Sequence, residues 1–239
     1  MFNYYLTYAL LLFLRTYLLI CMESADYTTG MSRNPGCLVS PPPSFRNHYL
    51  YRMEKHRCGW CLGDPLYEAY HDNEWGVPVT GDQKLFEFLL LETFQAGLSW
   101  ITILRKRENF RKAFDGFDYL KISRYTEKKI EALLQNEGII RNKLKVRAAV
   151  GNAQAFMKVQ QEFGSFSSYI WDFVDGQPIK NKIENHKEGP ANTALSDAIS
   201  KDLKKRGFKF VGSTVVYAHM QATGMVNDHE VNCFRYDEV

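Results

Sequence analysis

Two short segments carry the residue types that hold metals. Cys58 and His71 stand near the start of a long stretch of ordinary globular composition, and His229-Glu230-Val231-Asn232-Cys233 stands at its end. The i, i+4 spacing of His229 and Cys233 puts both on one face if that segment is helical. Two imidazoles and two thiolates make a tetrahedral zinc set. Four protein ligands leave no open position for water, so such a metal is structural. It ties the first and last segments of the domain together, much as a long-loop crosslink does. Cys58-Gly59-Trp60-Cys61 is also a C-x-x-C, which reads either as a redox pair or as a source of a different ligand set through Cys61. His48, His56, His186 and His219 have no metal-like spacing with a partner. Five cysteines, scattered as these are, do not make a disulfide framework.

The second chemistry is anion binding. Asn136-Glu137-Gly138-Ile139-Ile140-Arg141-Asn142-Lys143 joins two amphipathic segments by a short turn. Such a hairpin leaves backbone N–H groups free at the start of its second helix, and with the helix dipole these bind an anion such as a DNA phosphate. Gly138 and Ile140 build the turn, while Arg141, Lys143, Lys145 and Arg147 add cations. Arg105-Lys106-Arg107 with Arg111-Lys112, and Lys201 to Lys209, are two further basic runs. An ordinary αα-hairpin with a solvated basic face is the alternative. The formal net charge is only +3, so affinity for nucleic acid has to come from such local clusters.

The elements that must position these residues read as helices. Leu85, Phe86, Leu89, Leu90 and Phe94 form one stripe; Trp100, Ile103, Leu104, Phe110 and Phe114 form a second behind Ser99 as N-cap. Thr126 caps a third helix carrying Ile130, Leu133 and Leu134 and ending at Gly138. Lys143 to Phe156 is a fourth, and Val215 to Thr223 is helical as well. Gly207 is a natural C-cap, and Asn181 to Thr193 is a long surface loop. Alternating β patterns are scarce, so the fold class is all-α.

The first 53 residues are different material. Residues 1–21 are rich in Leu, Tyr and Phe but carry Arg15 inside the apolar run, which suits neither a spanning helix nor a secretory signal. Residues 22–52 are rich in Ser, Pro, Thr and Gly and read as an irregular linker. The expected organisation is an extension over 1–53 and one domain over 54–239, with Met22, Met31 and Met53 as alternative starts. At 45% hydrophobic and 24% charged, the composition is globular rather than disordered.

Ordered blocks across that domain carry a family resemblance. They are Arg57-Cys58-Gly59-Trp60, Asp64-Pro65-Leu66-Tyr67, Tyr70 to Pro78, Leu91-Glu92, Gln95 to Thr102, Lys106 to Asn109, Gly138 to Arg141, Lys204 to Gly212 and Val226 to His229. Over about residues 54–236 the chain resembles the DNA-3-methyladenine glycosylase I family. The resemblance implies a helix-hairpin-helix DNA glycosylase architecture and hydrolysis of the N-glycosidic bond of 3-methyladenine in double-stranded alkylated DNA, without lyase activity. It also implies one structural zinc on Cys58, His71, His229 and Cys233, with Cys61 at no ligand position. Thr93 departs from the family, where a glycine often follows the glutamate, and the C-terminus after Cys233 is short.

By the same resemblance Glu92 is the catalytic, base-reading carboxylate, and Tyr67, Tyr70, Trp75 and Trp100 line the base pocket. Leu98 is the wedge that fills the gap left by a flipped base. A 3-methylated adenine in DNA is cationic, so an aromatic slot gains cation–π attraction of about 1–2 kcal/mol over normal adenine. The stretch Val146 to Asn152 offers no carboxylate where related glycosylases place an aspartate. The expected working form is a monomer with no obligate protein partner, found with DNA in the cytoplasm or nucleus; residues 1–53 leave organelle targeting or membrane association open. The competing readings are a non-catalytic zinc-containing DNA-binding module and a membrane-tethered redox protein with a Cys58–Cys61 disulfide.

Overall fold

Every residue from Leu85 to Phe94 is buried. They belong to α2 (Asp82–Gln95), around which the rest of the domain is assembled. A helix that is apolar on all sides has no solvent face and must run through the core. The simple stripe read from the sequence is therefore incomplete: Phe88, Leu91 and Thr93 are buried too, and so are Glu87 and Glu92.

The structure, a computed structural model, describes residues 55–239. The expected extension over 1–53, with its apolar run and linker, lies outside the described residues. The other helices are α1 (Pro65–Asn73), α3 (Trp100–Ala113), α4 (Tyr119–Ile122), α5 (Glu127–Gln135), α6 (Lys143–Phe163), α7 (Phe166–Asp172), α8 (Ala194–Lys205) and α9 (Ser213–Ala222). No helix among the described residues is long and apolar enough to cross a membrane.

The fold is mostly helical, as the sequence leads one to expect, with one small exception. β1 (Ile179–Lys180) and β2 (Val226–Asn227) form a two-residue parallel ladder. It anchors the loop after α7 to the segment that leads into His229. Helix α2 packs on α3, α6, α7 and α9, and α5 packs on α6.

Local signals account for most boundaries. Asp64 accepts from the N–H groups of Leu66 and Tyr67, and Pro65 at the first helical position has no N–H to satisfy, so α1 starts there. Thr126 caps α5 by accepting from Lys129 N. Ser99 precedes α3 but caps no backbone group; its hydroxyl pairs with that of Thr102. Helix α5 ends at Gln135, before Gly138, and α6 runs on to Phe163. Positive φ at Gly207 ends the chain turn after α8.

Candidate functional site

Helix α1 carries two jobs on adjacent positions. Tyr67 and Tyr70, three residues apart, face a pocket, and His71 turns to the metal-type cluster behind it. In that cluster Cys58, His71, His229 and Cys233 are all buried, and their ligand atoms lie within 4.8 Å of one another. The Cys58 Sγ to His229 Nδ1 and Cys233 Sγ to His229 Nδ1 separations are both 3.6 Å, and Cys233 Sγ to His71 Nε2 is 3.4 Å. Tetrahedral zinc with its usual bond lengths sets sulfur and nitrogen about 3.5 Å apart, so the donor set has the right spacing.

The surroundings fit a metal as well. The second nitrogen of each histidine already has an acceptor: Asp72 Oδ1 lies 2.9 Å from His71 Nδ1, and Trp75 O lies 3.2 Å from His229 Nε2. That arrangement fixes which nitrogen is left to bind. Asp72 is itself held by Arg57 through Nε and Nη2 at 2.9 and 2.8 Å. Each thiol sulfur accepts a backbone N–H, from Glu230 to Cys58 and from Arg235 to Cys233. The Cys58–Cys233 contact lets the pair share one proton, which holds the Cys233 thiol below its ordinary value and raises Cys58.

Two expectations about this cluster need correcting. The segment from His229 to Cys233 is a turn rather than a helix; the turn bond from Cys233 N to Glu230 O brings the pair together. Cys61 lies outside the group, its sulfur donating to Cys58 O at 3.2 Å. Cys58, Cys61 and Cys233 are all free, so the Cys58–Cys61 disulfide of the redox reading is absent among the described residues.

The pocket has a volume of about 290 Å³ and is walled by Trp60, Tyr67, Tyr70, Trp75 and Trp100, with Glu92 and Gln95 from α2. This is the small end of ligand-site sizes, room for one flat ring system. The indole of Trp75 packs on His229 at 4.6 Å between centroids and on Trp60 at 4.9 Å, so the Cys/His cluster backs the aromatic wall. Trp100 Nε1 is buried and finds no acceptor among the described residues. All four aromatics expected from the sequence meet at this pocket together with Glu92. Thr93 does not reach it, because its hydroxyl turns back to Leu90 O at 2.7 Å.

Burial is the one influence on Glu92, and it pushes the carboxyl up to about 8. Burial raises Tyr70 well above the ordinary phenol range and Tyr67 to about 12, with Glu92 contributing to both. Both phenols therefore stay protonated and can donate. His219 is a core histidine, pushed down to about 4 by burial, with Nε2 against Leu85 O.

The hairpin exists but differs from expectation in its charges. Asn142 accepts from Leu144 N and Lys145 N, so two of the N–H groups expected to be free at the start of α6 are capped. The N–H groups of Ile140, Arg141 and Lys143 donate to no described residue. Lys145 is buried rather than part of a solvated basic face, donating to Phe94 O at 3.0 Å and Ala96 O at 2.7 Å. Arg147 is taken up by Glu127 at 2.7 and 2.6 Å. Arg105, Arg107 and Arg111 are paired with Asp64, Glu74, Glu87 and Glu108, and Arg206 with Glu162 and Asp202. Most arginines of the basic runs are thus paired, whereas Lys112, Lys201, Lys204, Lys205 and Lys209 are exposed without an acidic partner among the described residues; Arg141 and Lys143 stay exposed on the hairpin, Arg141 with only a 3.6 Å pairing to Glu137.

Lysines instead hold the hairpin in place. Lys106 donates to Glu137 O and Gly138 O in the turn. A Cβ on Gly138 would sit 3.0 Å from the Asn109 side chain, so any other residue there would push the turn and α3 slightly apart. Lys145 clamps the last carbonyls of α2, beside the turn at Gly97 (φ +85°) that presents Leu98 at 39% exposure.

Sequence reasoning missed several lining residues. Trp60 sits between the two cysteines of the C-x-x-C and was read only as part of it. Ile183, His186 and Gly189 come from the loop taken as plain surface. His186 Nδ1 lies 2.8 Å from Glu230 Oε1, which pins that loop beside the cluster. Gln221 and Asp228 complete the wall. No periodic signal marks any of these, because they converge from separate loops.

Known proteins are similar to this chain in sequence and fold. Residues 60–236 match the family model described as methyladenine glycosylase. The chain is 53% identical over 180 residues to DNA-3-methyladenine glycosylase 1 of Escherichia coli (strain K12), covering 75% of this chain and 96% of that one. It matches a crystal structure of 3-methyladenine DNA glycosylase I at 53% identity and TM-score 0.73, covering 75% of this chain and 98% of the other. A tyrosine-to-phenylalanine variant of 3-methyladenine DNA glycosylase I, crystallised in complex with 3-methyladenine, matches at 35% identity and TM-score 0.72, covering 74% and 96%.

Proposed function

The chain belongs to the methyladenine glycosylase family, and from that we propose that it excises 3-methyladenine from alkylated double-stranded DNA by hydrolysing the N-glycosidic bond. The observation that carries this reading is Glu92: a buried carboxylate with no hydrogen-bond or ionic partner among the described residues, opening into a pocket of aromatic rings. Such a group is expensive to keep unless its partner is the ligand.

In this reading the damaged base leaves the stack and enters the pocket, with Leu98 filling its place in the duplex. Rings of Tyr67, Tyr70, Trp75 and Trp100 attract the cationic base and not normal adenine. Glu92 gives its proton to solvent as the cationic base enters, accepts from the exocyclic amine and turns its charge to the cation, and the Tyr70 hydroxyl completes the edge reading. The helix-hairpin-helix element, through backbone N–H groups of Ile140, Arg141 and Lys143 beside Gly138, holds a phosphate.

The methylated base is an activated leaving group and needs no proton. The C1′–N9 electron pair passes to the base, which leaves as neutral 3-methyladenine, while water adds to C1′ and gives its proton to solvent. Attraction that acts equally on the ground state gives selectivity and no rate. Rate comes from orientation and from negative charge near the developing sugar cation. The scheme is hydrolysis alone, with no lyase step. Cys58, His71, His229 and Cys233 would hold a zinc ion, which would supply structure and no chemical step, fixing the aromatic back wall. The working form is a monomer acting wherever the DNA is.

The test is direct. The full chain is incubated with methylated duplex DNA and the released bases are identified by mass. Release of 3-methyladenine supports the reading; DNA binding without any release supports a non-catalytic module instead.

A further inference from the structure

Four carboxylates are buried among the described residues: Glu87, Glu92, Asp228 and Glu230. Glu87 has Arg107, Arg111 and Lys84, and Glu230, which does not line the pocket, has backbone N–H groups of Gly59 and His186 and the His186 ring. Glu92 and Asp228 have no cation, and these are the two that line the pocket. Buried charges are ordinarily paired. A Cys2His2 zinc centre is formally neutral, so the neighbouring cluster does not supply the missing charge to Asp228.

Glu92 and Asp228 are prepared differently. Asp228 Oδ1 accepts from Asn181 Nδ2 at 2.6 Å; Oδ2 accepts from the Tyr217 hydroxyl at 2.7 Å and from Gln221 Nε2 at 2.8 Å. All three partners are neutral donors. Burial, and then Asp228 itself, pushes the Tyr217 phenol up, so its hydroxyl keeps the proton it donates. Three donors from the β1 end and from α9 fix the carboxylate in place, and none cancels its charge. Fixed dipoles and charges of this kind need no reorganisation when positive charge appears.

We propose that Asp228 is a second counter-charge of the site, facing the positive charge of the flipped nucleotide. This rests on the glycosylase reading. Positive charge begins on the base and passes to the sugar as the bond breaks, and the two locations are separable by experiment.

The full-length Asp228→Asn variant is compared with wild type in three measurements. These are single-turnover release of 3-methyladenine, affinity for neutral 3-methyladenine as free base, and relative affinity for duplexes carrying a cationic pyrrolidine or a neutral tetrahydrofuran abasic analogue. Release slows about 10- to 100-fold, zinc content and free-base affinity hold, and the preference for the cationic analogue falls if the charge faces the sugar. A preference left intact beside slowed release assigns the charge to the base. Tyr217→Phe removes one donor and keeps the charge, so it retains the cationic preference whatever it does to stability.

Where Asp228→Asn does not fold, Gln221→Lys gives the carboxylate an internal partner: the fold becomes more stable and release slows. Wild-type release by folded Asp228→Asn, or by a stabilised Gln221→Lys, overturns the proposal. Absence of release by wild type overturns the glycosylase reading itself.

Discussion

Glu87 and Glu92 lie on the same buried helix, yet Arg107 Nε reaches Glu87 Oε1 at 2.8 Å while no cation reaches Glu92. Burial raises both carboxyls. For Glu87 the charges of Arg107, Lys84 and Arg111 more than reverse it and hold the group below its ordinary value. For Glu92 nothing does, and it sits at about 8. One glutamate is part of the architecture that joins α1, α2 and α3; the other is strain stored at the site.

That difference has a pH signature. Glu92 binds its proton more tightly folded than unfolded, so its contribution favours the fold below the unfolded value of about 4.5 and is lost as pH rises to about 8. Glu92→Gln removes the penalty. In urea unfolding the variant is more stable than wild type at pH 8, by on the order of 4 kcal/mol, and close to wild type at pH 4.5. Equal stability at both values would mean the carboxylate is solvated or paired.

Removing a ligand separates metal from scaffold. Cys233→Ser loses zinc and several kcal/mol of stability together, because binding and folding share the same site. Cys61→Ser keeps one zinc per chain and costs about 1 kcal/mol. The readouts are metal stoichiometry and thermal melting; loss of zinc from Cys61→Ser would restore Cys61 as a ligand.

Lys145 positions two functional parts at once, since it rises from the hairpin helix and holds Phe94 O and Ala96 O. Lys145→Met leaves both carbonyls unsatisfied at a cost of about 1–3 kcal/mol. It also loosens the turn that presents Leu98, so excision falls more than stability alone explains. Unchanged excision at saturating protein would deny the clamp a role.

Phosphate contact is read from salt dependence. Arg141→Ala and Lys143→Ala each reduce the slope of log affinity against log salt by about 0.9. Arg147→Ala leaves the slope unchanged because Glu127 already holds that guanidinium. Equal slopes for all three variants would place the DNA elsewhere.

Much of this was legible in the sequence, for reasons that differ by residue. Thr126 acts within four residues of its target, so local chemistry reveals the start of α5; the Asp64-Pro65 signal at the start of α1 is just as local but went unread. Cys58, His71, His229 and Cys233 are recognisable because their residue types are rare and specialised. The arginines of the basic runs misled because partners such as Glu127 for Arg147 and Glu74 for Arg107 are distant in sequence. His186 and Asp228 were invisible for the same reason: a loop carries no period, and only the fold brings them to the pocket. Glu92 stood out through resemblance, whereas its lack of a partner is a property of the packed helix alone.

The most direct test of the account is mass identification of bases released from methylated duplex DNA by wild type and by Glu92→Gln, at equal zinc content. Wild type releases 3-methyladenine, and Glu92→Gln, more stable at pH 8, releases it at least about tenfold more slowly. Wild-type release from Glu92→Gln would contradict it.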